Sequence, residues 1–244
     1  MKTLLTIAGS DPSGGAGVQA DLRVFHDLGL RGLSVLTAVT AQNENKFLSV
    51  NSVSAKVLSD QLASVAHLKI YGIKIGMLGT KENVLAVIKF LRKIKIKHVV
   101  LDPILKSSTG TNLLEPNGLK ALKQLIGCVS VVTPNIPEAE KLIGCKIETL
   151  EEVQRAAQKI YQSCQGVGAV LIKGGHFKSL PIDTLYTGKN WEWVHPKKRL
   201  PRDVHGTGCV FSAALIGFLV QGFSLKASAQ KAKKSVAHYI CERI

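Results

Sequence analysis

The chain has 244 residues, 45% hydrophobic and 20% charged, which is enough apolar material for one sizeable core and excludes a disordered or collagen-like chain. Lys and Arg number 32 against 17 Asp and Glu, a formal charge of +15, so the surface attracts anions such as phosphates, nucleic acid or an acidic membrane. No apolar run is long enough to span a membrane. Cys128, Cys145, Cys164, Cys209 and Cys241 show neither C-x-x-C nor zinc spacing, and fit a reducing, cytoplasmic compartment.

The N-terminal apolar run is too short for a secretory signal and predicts a buried strand over Leu4–Ala8. It ends in Gly9-Ser10-Asp11-Pro12-Ser13-Gly14-Gly15-Ala16-Gly17, a glycine-rich loop that allows close backbone approach to a ligand and leads into an amphipathic helix containing Asp21. Further strands are predicted at Gly32–Ala38 and Gly72–Ile75. The stripe Val84, Leu85, Val87, Ile88 and Leu91 predicts a helix over Glu82–Lys93. Pro116-Asn117-Gly118 reads as a local loop between strands at His98–Asp102 and Ser130–Thr133. Leu150, Val153, Ala157, Ile160 and Tyr161 place a helix over Thr149–Cys164, ahead of a strand at Ala169–Lys173. A hairpin is expected over Ile182–Tyr186 and Trp191–Val194, turning at Gly188-Lys189-Asn190. After a loop at Pro196–Pro201, Thr207 to about Val220 reads as an almost wholly apolar helix buried in the middle of the molecule. The last helix, from about Ser224, is expected to carry Lys226, Lys231, Lys233 and Lys234 outward. Strands alternating with helices predict an α/β fold, a mostly parallel sheet covered on both faces, in a single domain over residues 1–244.

Open α/β sheets bind ligands beyond the carboxyl ends of their strands, and here those positions are small and polar. The first loop is neither a Walker A motif nor G-x-G-x-x-G, so a nucleotide needs another device. Asp203-Val204-His205-Gly206-Thr207-Gly208-Cys209 supplies one, because backbone N–H groups at the start of the apolar helix form an anion site. The same helix end is expected to lower the Cys209 thiol pKa; the alternative is that Cys209 is a small core residue. Asn135 and Glu138, just past a strand, and Asp102, at the end of another, are oxygen ligands suited to Mg²⁺ held through water and phosphate. Lys173, closing a strand before Gly174-Gly175, is placed to bind phosphate.

In this order the segments resemble the ribokinase-like superfamily, and within it the hydroxymethylpyrimidine/phosphomethylpyrimidine kinases of thiamine biosynthesis. The resemblance is carried by Ala8–Asp11 with Ser13–Asp21, Thr37–Asn43, Gly76-Met77-Leu78, Leu101–Ile104, Thr133-Pro134-Asn135 with Glu138-Ala139, Ile172–His176 and His205–Cys209. It implies a three-layer α/β/α sandwich with little or no separate lid, working as a homodimer. The implied activity is phosphorylation of 4-amino-5-hydroxymethyl-2-methylpyrimidine, then of its monophosphate, with ATP and Mg²⁺. Gly9 and Asp21 would border the pyrimidine pocket, the Gln42 amide would pair with ring nitrogen and amino groups, and Met77 and Ile104 would pack on the ring. Gly206, Thr207 and Gly208 would present N–H groups to the transferring phosphoryl. Lys173, Asn135 and Thr207 would meet ATP, and Asp102, Asn135 and Glu138 would organise Mg²⁺. Cys209 stands where ribokinase itself has an aspartate base, and is expected to assist the first phosphorylation more than the second. The sequence departs from the family pattern at Ser108, where relatives carry a lysine that Lys106 could replace, in the basic run Pro196–Asp203, and at Val204.

Three rival readings stand beside this one. A pyridoxal or pyridoxine kinase would also phosphorylate a hydroxymethyl group on an aromatic heterocycle. A nucleic-acid-binding protein is suggested by the net charge, but 5% aromatic residues provide no stacking platform, so neither a specific nucleic acid nor a membrane is expected as partner. A non-catalytic relative is disfavoured by the intact Asp102, Lys173, Gly206, Gly208 and Cys209.

Overall fold

Short Val- and Ile-rich runs become strands buried on both faces, and successive residues supply opposite sides of the sheet. In the computed structural model, which describes residues 1–43, 46–107, 110–174, 182–194 and 204–242, nine strands form one sheet in the order β3-β2-β1-β4-β5-β6-β7-β8-β9. They are β1 (Thr3–Ser10), β2 (Arg31–Gln42), β3 (Phe47–Ser52), β4 (Gly72–Ile75), β5 (His98–Leu101), β6 (Val131–Val132), β7 (Ala169–Ile172), β8 (Asp183–Tyr186) and β9 (Trp191–Val194). The six strands from β2 to β7 in this order are parallel, while β3, β8 and β9 add antiparallel edges. Ser108, Gly175, His176 and the basic run 196–203 lie outside the described residues.

Leu5, Ile7, Ile73, Ile75, Leu101 and Val132 face one core, packed by α2 (Ala55–Val65), α3 (Lys81–Lys93), α4 (Gly118–Ile126), α5 (Ile136–Ile143) and α6 (Leu150–Ser163). Their neighbours Leu4, Val100, Val131 and Leu171 face the other, packed by α1 (Gly17–Asp27), α7 (Thr207–Gln221) and α8 (Leu225–Cys241). The result is the expected ribokinase-like α/β/α sandwich. Apolar all round, α7 lies in the interior with Val210–Gly217 buried.

Three corrections follow from packing. Gly118 opens α4 rather than lying in a loop. The exposed strand β3, with Leu48 75% exposed, lacks the apolar run that marks the others and escapes sequence reading. Lys233 does not point outward: its Nζ lies 3.1 Å from Asp183 Oδ1, with 15% of its side chain exposed.

Chain order sets the location of chemistry. From β1 the chain crosses to β2 on one side, and β4 lies on the other. This reversal opens a crevice at the carboxyl end of β1.

Candidate active site

The loop after β1 is organised by one carboxylate. Asp11 accepts from Ser13 N at 3.0 Å, Ser13 Oγ at 2.8 Å and Ala16 N at 2.8 Å, and its Oδ2 lies 2.9 Å from His205 Nε2. Burial alone would raise its pKa, but the hydrogen bonds from His205, Ser13 and Ala16 outweigh that and hold the carboxyl at about 2. Gly17 completes the loop at φ +61°, where a Cβ would strike the Gly9 carbonyl, so only glycine fits.

Opposite this loop stands the N-terminus of α7. Gly206 has φ +86°, and a Cβ there would strike the Gly15 carbonyl, so the two loops touch backbone to backbone. Beneath α7, Lys173 Nζ donates to Asp102 Oδ1 at 2.7 Å. Thr133 Oγ1 and Ser212 Oγ approach the same carboxylate at 3.4 and 3.3 Å. A side chain begun at Gly208 would stand 3.4 Å from Lys173 Nζ and 3.5 Å from Asp102 Oδ2. Gly208, the lysine and the aspartate therefore form one cluster. Burial pulls the Lys173 pKa down, but Asp102 and Glu138 outweigh it and keep the ammonium charged.

Asn135 and Glu138 stand beside this cluster in a capping box. Asn135 Oδ1 accepts from Glu138 N at 2.9 Å, and Glu138 Oε2 accepts from Asn135 N at 2.8 Å. Burial pushes the Glu138 carboxyl up to about 7, only partly offset by Lys173. Among the described residues no three His, Cys, Asp or Glu side chains gather into a metal cage. Asp102 and Glu138 instead suit a Mg²⁺ that keeps its waters and is shared with phosphates.

The apolar side of the crevice is built by Met77, Ala38 and Leu113, with Phe47, Val50 and Ile104 packed against them. Gly9 lets the strand end pass the thioether: a Cβ there would be 3.2 Å from Met77 Sδ. Ile104 also packs on Ala16, Ala20 and Cys209, and so joins this wall to the start of α7. Gln42 lies half-buried at the end of β2, paired with Phe47. Lys106 is exposed and forms an isolated antiparallel bridge with Asn112.

Two sequence expectations fail. Asp21 does not border a pocket; it is enclosed, with Thr6 Oγ1 at 2.6 Å and Lys74 Nζ at 2.8 Å. The Cys209 thiol is not lowered by the helix end, because burial pushes it up to about 11 despite the nearby Lys74 ammonium. Sequence reasoning also left Phe47, Val50, Leu113, Thr133, Ser212, Lys74 and Tyr239 without a role. Lys74 carried a signal, a charged residue inside an apolar strand, as did Ser212, a polar residue inside an apolar helix.

A glycine-opened helix end and a buried cation beside an apolar wall, at the switch point of a ribokinase-like sheet, are the parts of a small-molecule phosphotransferase. A family model described as phosphomethylpyrimidine kinase matches residues 11–244, and the chain belongs to that family. It is 40% identical over 243 residues to a hydroxymethylpyrimidine/phosphomethylpyrimidine kinase of Aquifex aeolicus, covering 98% of this chain and 93% of that one. The crystal structure of phosphomethylpyrimidine kinase from Clostridium difficile superposes with a TM-score of 0.85 at 34% identity, covering 100% of this chain and 99% of the other. Pyridoxal kinase from Staphylococcus aureus in complex with AMP-PCP gives a TM-score of 0.89 at 33% identity, covering 98% and 88%.

Proposed function

We propose that the protein transfers the γ-phosphoryl of ATP to 4-amino-5-hydroxymethyl-2-methylpyrimidine and then to its monophosphate, supplying the diphosphate for thiamine biosynthesis. The observation that carries this is the placement of Gly208 over the Lys173–Asp102 pair, with Ile104 linking that cluster to the Met77 wall. Phosphoryl transfer demands positioning and charge stabilisation more than covalent chemistry. The Gly206, Thr207 and Gly208 amides stabilise charge on the transferring group, Lys173 neutralises phosphate, and Asn135 and Thr207 meet ATP. Gly9, Met77 and Ile104 hold the ring, with Gln42 reading its polar edge.

Mg²⁺ would be held from Asp102 and Glu138 through water, supplying charge neutralisation between phosphates. Asn135 Oδ1 is engaged in the helix cap, so its part is to fix Glu138. Cys209 would act as base through its thiolate, the minor form at pH 7, taking the proton of the hydroxymethyl acceptor and mattering less for the phosphomethyl acceptor, which already carries a nucleophilic oxygen. Family likeness supports a cytoplasmic homodimer, and among the described residues no helix is long and apolar enough to cross a membrane.

A second reading, phosphorylation of pyridoxal, is favoured by the structural likeness to the Staphylococcus aureus enzyme. Both are tested by offering hydroxymethylpyrimidine, its monophosphate and pyridoxal separately with Mg·ATP. Turnover of both pyrimidines supports the first reading, turnover of pyridoxal alone replaces it with the second, and no turnover of any overturns both.

A further inference from the structure

The glycine-rich turn before α7 has no side-chain cap of its own. What holds it comes from elsewhere in the chain. Tyr239, near the end of α8, is buried to 6% exposure, and its hydroxyl lies 2.9 Å from both the Gly15 carbonyl and the His205 carbonyl. A phenol has one hydrogen. It therefore serves two acceptors, one in each loop, and relieves the repulsion of two carbonyl oxygens brought together at the seam. The Asp11–His205 contact crosses the same seam at 2.9 Å. The Arg23 guanidinium, 5.5 Å from the Tyr239 ring centroid, braces the ring itself.

We infer that Tyr239 and the Asp11–His205 pair clamp the loop after β1 to the turn before α7, making Tyr239 a positioning residue for phosphoryl transfer. The inference rests on the proposed reading of the Gly206–Gly208 amides as the phosphoryl site. Those amides act on charge that grows in the transition state, so a small displacement lowers kcat while leaving ground-state binding nearly intact.

Tyr239→Phe keeps the ring and removes the hydroxyl. Its kcat falls by about tenfold or more, while KM for ATP and for the pyrimidine stays within roughly twofold. Asp11→Asn, which keeps the shape of the side chain, lowers kcat similarly. The double variant falls by less than the product of the two, because the contacts act as a unit. An unchanged kcat in a folded Tyr239→Phe protein, a rise confined to KM, or a multiplicative double variant overturns the inference. Should Tyr239→Phe fail to fold, Asp11→Asn decides alone, and an unchanged kcat there is equally fatal.

Gly208→Ala separates this inference from the reading beneath it. If that variant keeps full kcat, the phosphoryl site is wrongly placed whatever Tyr239 does. If it loses kcat while Tyr239→Phe and Asp11→Asn do not, only the clamp fails.

Discussion

Lys74 Nζ lies 2.8 Å from Asp21 Oδ2, and both side chains are wholly enclosed between β4 and α1. Thr6 donates to the same oxygen, while Asp21 Oδ1 has no hydrogen-bond partner among the described residues. A lysine in the middle of an apolar strand is thus retained by one carboxylate. Burial draws its pKa down, but Asp21, Cys209 and Asp102 outweigh that and keep it protonated.

Removing one partner strands the other charge. Lys74→Met and Asp21→Leu each cost about 3–5 kcal/mol of stability in urea unfolding, and the double variant recovers most of that loss. A double variant no more stable than either single one would show that the two charges do not act as a pair.

The pH dependence of stability carries the signature of Glu138. Unfolded, its carboxyl titrates near 4.5; folded, burial pushes it to about 7. A raised folded pKa means that its contribution is fully present below 4.5 and declines as the pH climbs to about 7. Relative to Glu138→Gln, the wild type loses about 3 kcal/mol over that interval. Urea titrations of both proteins at pH 4.5 and pH 8 check the sign, and a parallel pair of curves contradicts it.

Cys209 makes the two phosphorylations respond differently to pH. With its thiol pushed up to about 11, the thiolate fraction grows tenfold per pH unit through the neutral range. Transfer to the hydroxymethyl acceptor should speed up from pH 7 to pH 10 without a plateau, and Cys209→Ala should flatten that profile and slow the step by about 100-fold. The same variant leaves transfer to the phosphomethyl acceptor nearly unchanged. Equal losses on the two acceptors exclude a base role.

Lys233→Met tests the inward-facing lysine of α8. Asp183 Oδ1 accepts both from Lys233 and from Gly174 N, the latter at 3.0 Å, immediately after Lys173. Loss of the ammonium leaves a buried carboxylate uncompensated, at about 3 kcal/mol in urea unfolding. It also loosens the Lys173 backbone, so KM for ATP rises while KM for the pyrimidine holds; a rise in the pyrimidine KM alone contradicts this.

The parallel strands and the apolar helix α7 were legible because burial on both faces writes a continuous hydrophobic run. Gly72–Ile75 and Trp191–Val194 are bounded as the sequence implies. β3 was not, since an exposed edge strand carries no such run. At the site, Lys173 and Asp102 converge as their positions after strands suggest, and Gly208 joins them from the start of α7. Asp21 misleads because it shares a segment with the ligand-facing loop, yet its helix turns the side chain inward toward Lys74. The thiol of Cys209 misleads for a different reason: the cost of burying a thiolate outweighs the Lys74 ammonium and the Gly17 N–H that favour it.

Gly15 and Tyr239, joined by a single phenolic proton, are separated by 224 positions in the chain. The crevice residues of β1 and its loop are made early in synthesis, whereas the group that fixes their partner turn is made at the end of α8. α8 also packs on α7, so a chain lacking α8 leaves both the seam and one face of α7 uncovered. The seam is thus a contact of the folded whole that no local segment forms on its own.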